Sequence, residues 1–126
     1  MVSTVSLVAL GGAIGAVLRY LTGLGMLRVL GHTEFPLAIL TVNVIGSFLM
    51  GAFVVVAAQK GLTHLSPLVM TGMLGGFTTF SAFSLETVTL LERGETSWAL
   101  VYVVLSVGLS VGGLFLGVLM ARGVFA

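Results

Sequence analysis

The run Gly75-Gly76-Phe77-Thr78-Thr79-Phe80-Ser81-Ala82-Phe83-Ser84-Leu85-Glu86 gathers glycines, hydroxyls and aromatics inside a chain that is otherwise mostly apolar. Two adjacent glycines and two β-branched threonines disfavour a continuous helix, and a helix that breaks releases main-chain carbonyls from the i−4 ladder. Carbonyls freed in this way can coordinate a small hard cation, as in transporters with unwound spans. The bland alternative is a packing notch whose hydroxyls bond back to their own helix, and the residues alone leave both open. On a helical wheel Phe80 and Phe83 stand about 60° apart, with Ser84 flanking Phe80 and a Thr79–Glu86 stripe flanking Phe83. An aromatic ring has a positive edge. Ring edges beside hydroxyls could therefore line a path for an anion that sheds part of its water, or the rings could simply pack in a bundle.

Further polar groups repeat the theme. Tyr102, Ser106 and Ser110 are spaced i, i+4, i+8 and share one helix face, which makes a possible track of donors. Serines in membrane helices also bond their own i−4 carbonyls, so the shared stripe is the stronger signal. Asn43, with Ser47 one turn further on the same face, could donate to an anion or hold neighbouring helices together. Arg19 and Glu86 are the ionisable side chains well inside apolar stretches, where each should face protein or water; pairing or snorkelling would also account for Arg19.

The elements that must position these groups follow from composition. With 58% hydrophobic and 7% charged residues among 126, and a mean hydropathy of +1.24, the chain lies far from the soluble norm of about 25% charged. Four acidic and five basic side chains cannot coat a water-soluble core of this length. Lipid is the expected solvent. A bilayer core of about 30 Å asks for about 20 apolar residues per helix, and four runs of that kind occur, over approximately 5–30, 37–58, 66–91 and 98–121. The expectation is an all-α membrane protein, one transmembrane domain over 1–126, with the third helix broken near its middle. Gly31 to Pro36, Gln59 to His64 and Glu92 to Ser97 form the connections. Ser66-Pro67 reads as an N-cap with proline at N1, and Trp98 as an interfacial anchor. Met1-Val2-Ser3-Thr4 lacks the basic flank of a signal peptide, so the first run is expected to stay as helix one. Glycines four apart, at 11 and 15, 72 and 76, 108 and 112, and 113 and 117, suit close helix packing.

Several function classes drop out. Zero cysteines exclude disulfides and thiol chemistry, and a net charge of +1 gives no field for nucleic acid. His32 and His64 fall in loops on opposite sides, which leaves an enzyme as the weakest reading. The side holding both termini carries Lys60, Arg122 and the terminal amine, and the other Arg28 and Arg93. So even a balance permits insertion in both directions, although a weak bias could still set one orientation. Four helices are too few to enclose a wide pore alone, which favours a dimer.

The sequence resembles the Fluc (CrcB) fluoride channels along its whole length. The resemblance rests on Gly12-Ala13-Ile14-Gly15 leading to Leu18-Arg19-Tyr20, on Thr41-Val42-Asn43 with Gly46, and on the 75–84 run followed by Glu86. It implies a passive fluoride-selective channel in the cell's inner (plasma) membrane, built as an antiparallel dual-topology homodimer with two pores and a structural sodium ion at its centre. By position, Phe80 and Phe83 resemble the aromatic pair of each pore, and Asn43, Ser81, Ser84, Tyr102, Ser106 and Ser110 its polar lining. Gly75 and Thr78 would offer carbonyls to sodium, Arg19 would stand near the vestibule and Glu86 beside the pore. Ala82 departs from the pattern, since many relatives carry a threonine there, and altered conduction is the expected consequence. Rival readings are a proton-coupled small multidrug-type exporter, whose essential glutamate would lie in helix one where this chain has none, and a non-transporting membrane scaffold.

Overall fold

A computed structural model describes residues 1–33 and 35–125. Four helical stretches long and apolar enough to cross a membrane account for nearly all of them. Helix α1 runs over Val2–Leu30 and α2 over Leu37–Lys60. After a 3-10 turn at Thr63–Leu65, the third span comes in pieces: a π-wound segment Pro67–Leu74, the single turn α3 at Gly75–Phe77, and α4 at Phe80–Glu92. Helix α5, Thr96–Phe125, completes the chain. The third span is the least apolar of the four, as its hydroxyls require. Ser66 does precede Pro67 at a helix start, but its side chain makes no capping bond. Glu34, within the expected 31–36 connection, lies outside the described residues.

The break does not fall on the glycines. Gly75 is helical at φ −63, ψ −37, whereas Thr78 (φ −78, ψ 154) and Thr79 (φ −150, ψ 115) are extended. Extended backbone is what β-branched side chains favour. The glycines have a different task, set by packing: a Cβ on Gly76 would come within 2.7 Å of the Gly12 carbonyl oxygen, so only a bare backbone lets α3 meet α1 there.

Two pairs of helices carry the packing. Helix α1 lies against the π-wound segment and α3, and α2 lies against α5. Both seams are made of backbone touching backbone. A Cβ on Gly11 would overlap Leu68, and one on Gly15 would overlap Met73. On the second seam, Gly51 leaves no room before Leu114, nor Gly117 before Phe48. This is how helices associate where lipid gives no hydrophobic drive between them. Gly108 and Gly112 behave otherwise, with open space where a Cβ would stand, so that pair serves no packing within the chain.

Forcing a side chain into a closed seam should cost about 1–3 kcal/mol or more. Gly117→Val is expected to lower the thermal midpoint of the purified protein clearly, while Gly25→Ala, which meets nothing within 4 Å, should leave it level or slightly higher. Comparing the two midpoints in one detergent checks the seam.

Candidate functional site

The extended step at Thr78–Thr79 is held from α2. Asn43 Nδ2 donates to the Thr79 carbonyl at 3.1 Å, and the Thr79 N–H donates to Asn43 Oδ1 at 2.7 Å. A side-chain amide thus supplies both bonds that a neighbouring strand would. Gly46, one turn along α2, makes room for it, because a Cβ there would overlap the Thr78 methyl. Helix α4 then restarts with its own cap: Thr79 Oγ1 accepts from the Ala82 N–H at 3.1 Å and lies 3.2 Å from Ser81 Oγ.

These bonds decide which carbonyls are left over. In an unbroken helix the Gly75 carbonyl would receive the N–H of Thr79, and the Thr78 carbonyl that of Ala82. Both donors are engaged elsewhere, by Asn43 and by the Thr79 hydroxyl. The two residues expected to offer carbonyls to a cation are therefore the two whose helical partners have been taken. Among the described residues no group of three His, Asp or Glu could hold a metal.

Beside the break lies a cleft of about 270 Å³, bounded by Asn43 and Ser47 on α2, Thr78 and Thr79 at the break, Phe80 and Phe83 on α4, and Ser106 and Ser110 on α5. The two phenylalanine rings are 5.3 Å apart at 49°, and Phe83 lies 5.3 Å from the Tyr102 ring. Tyr102 in turn meets Phe35 edge-on at 5.6 Å, and Phe35 meets Trp98 at 5.7 Å. Continuous aromatic contact therefore runs from Trp98 to the cleft. Phe35 belongs to a connection with no periodic signal, so its part in this file was invisible in the sequence.

Several hydroxyls bond back to their own helix. Thr22, Thr78, Thr87 and Thr89 donate to carbonyls four residues back at 2.8–2.9 Å, as the packing-notch reading foresees. Tyr102 Oη and Ser106 Oγ do not: both are buried and neither has a partner at full hydrogen-bonding geometry among the described residues, although the two hydroxyls lie near enough to interact with each other. Tyr102 is wholly inaccessible. A buried hydroxyl without a partner costs about 1–3 kcal/mol, a cost that a fold accepts where a ligand supplies the missing bond. The two residues are one turn apart on α5, with Ser106 on the cleft wall.

The remaining expected residues are placed elsewhere. Ser81 and Ser84 are exposed on the outer side of α4, next to Phe80, which is 77% exposed. Glu86 lines a second cleft, of about 430 Å³, with His32, Thr89 and Arg93. Arg19, on α1, borders neither cleft.

The pattern of the family described as "CrcB-like protein, Camphor Resistance (CrcB)" matches residues 6–118. A protein of Ruegeria sp. (strain TM1040) named "Fluoride-specific ion channel FluC" is 67% identical over 124 residues, 98% of each chain. One of the same name from Roseobacter denitrificans is 68% identical over 120 residues, covering 94% of this chain and 95% of its own. Another, from Jannaschia sp., is 72% identical over 105 residues, 80% of this chain and all of that one. With a family pattern spanning nearly its whole length and relatives at this identity, the chain belongs to the CrcB-like family.

Proposed function

We propose that this multi-pass membrane protein is a passive, fluoride-selective channel that releases fluoride from the cytoplasm across the inner membrane and lowers its toxicity. The observation that carries the reading is the cleft beside the break, where two phenylalanine rings stand with the hydroxyls of Ser106 and Ser110, and where Ser106 and the Tyr102 hydroxyl buried behind it keep hydrogen-bonding capacity unused. The naming of the relatives as fluoride channels supports it.

Fluoride is small and holds its water tightly, so a pore must replace part of that shell with donors in a narrow passage. Tyr102, Ser106 and Ser110 supply hydroxyls along about 12 Å of helix α5. Phe80 and Phe83 add positive ring edges, and the amide of Asn43 has a second N–H beyond the one given to Thr79. Rings between the hydroxyls keep bulk water out, which strengthens each bond to the ion. An inside-negative potential drives an anion outward by about 2.3 kcal/mol per 100 mV. No coupled reaction is required.

A single chain leaves the path open on one side, since Phe80, Ser81 and Ser84 face outward from it. An antiparallel homodimer closes that side, and by symmetry makes two pores. The near balance of basic residues between the two faces supports dual topology. Gly75 and Thr78 from each chain would hold a sodium ion at the dimer centre through their main-chain carbonyls. Bound there, it supplies a fixed positive charge that favours an anion nearby.

Liposomes containing the purified protein are expected to release fluoride rapidly and chloride slowly, read with ion-selective electrodes; equal rates, or no fluoride release from folded protein, would reject the channel. Phe80→Ile and Phe83→Ile should each reduce fluoride efflux at least about tenfold while the assembled species survives, about the loss of one ion contact. Tyr102→Phe and Ser106→Ala separate ligand from scaffold. Each removes a buried hydroxyl that is not held at full hydrogen-bonding geometry, so the thermal midpoint should hold or rise, yet efflux should fall; a lowered midpoint would show that the hydroxyl serves the fold instead.

A further inference from the structure

Asn43 stands out because its amide is committed to the break rather than only to the cleft. One wall of the cleft is the Asn43 side chain itself, but its Oδ1 is spent on the Thr79 N–H and one Nδ2 hydrogen on the Thr79 carbonyl. A lining residue needs neither bond. Their effect lies on the far side of the peptide chain: with the Thr79 N–H held at 2.7 Å by Asn43, the Gly75 carbonyl has lost the donor it would have in a continuous helix.

We infer that Asn43 is a positioning residue for the cation, holding the Thr79 N–H away from Gly75 so that the Gly75 carbonyl stays free as a ligand. The inference rests on the sodium component of the channel reading and not on fluoride passage. Its chemistry is specific about which half of the amide matters. The acceptor, Oδ1, keeps the N–H out of the ladder; the donor, Nδ2, steadies the Thr79 carbonyl and faces the anion path with its other hydrogen. Thr79 Oγ1 does the same service for Thr78 by taking the Ala82 N–H, so each proposed carbonyl ligand is released by one named acceptor.

The test is thermal unfolding of the purified assembled protein as sodium chloride replaces N-methylglucamine chloride at constant ionic strength. The wild-type midpoint is expected to climb with sodium and saturate. Asn43→Leu, close in shape but with no acceptor, should need at least about tenfold more sodium for the same rise, since the N–H can return to Gly75. Asn43→Asp keeps an oxygen for the Thr79 N–H and should need no more sodium than about threefold the wild-type amount, while its fluoride efflux falls because a donor has become a repelling acceptor. Ser110→Ala, on the opposite wall of the cleft, should keep the wild-type sodium dependence. If the leucine variant does not fold, Asn43→Ser, too short to reach Thr79, carries the same expectation. Wild-type sodium dependence in the variant without an acceptor overturns the inference, and so does a wild type indifferent to sodium. That second result would leave fluoride efflux standing, so failure here is distinguishable from failure of the channel.

Discussion

Two hydrogen bonds between the Asn43 amide and the main chain of Thr79, at 3.1 and 2.7 Å, stand where a helical ladder would otherwise continue. Membrane interiors penalise any main-chain group left without a partner, so a break at that depth exists only if something else meets the demand. Here a single side chain on α2 meets it for Thr79, and a single hydroxyl meets it for Ala82. The direction of α4, the outward placement of Phe80 and the release of the Gly75 and Thr78 carbonyls all follow from that substitution.

Glycine makes the arrangement possible by closeness rather than by flexibility. Gly46 brings α2 near enough for Asn43 to reach the break, and Gly76 does the same for α3 against α1. In lipid, where apolar side chains gain nothing by leaving their surroundings, contact of bare backbone is the available source of attraction. That explains why the buried side chains are few, Leu40, Leu90, Ala99 and Tyr102 forming the central cluster, while large residues such as Phe115 and Val111 remain on the outside.

Much of this was legible in the sequence, for reasons tied to length and period. The four spans declare themselves because a bilayer imposes one length on all of them, and four helical stretches long and apolar enough to cross a membrane stand there, the third of them bent. The pairing of Phe80 with Phe83 follows from helical spacing within α4. What could not be read is non-local. The site of the break depends on which residue finds a partner across the bundle, and that is why it settled on Thr78–Thr79 rather than on Gly75-Gly76. The π winding of Pro67–Leu74, the aromatic bridge through Phe35 and the separation of Glu86 from the cleft of Phe80 depend on neighbours far away in the chain. Gly108 and Gly112 share the spacing of the packed pairs and yet have open space around them, since spacing cannot say which face meets a partner.

The extended main chain at Thr78 and Thr79, in the middle of a membrane span, is open to direct measurement. Solid-state NMR of the threonine-labelled protein in lipid bilayers reads backbone conformation from Cα and Cβ shifts. Strand-like shifts at Thr78 and Thr79, between helical values for Thr71 and Thr87, are expected for the broken span. Helical shifts at both residues would contradict it, because a continuous span gives Asn43 nothing to hold and leaves no carbonyl free.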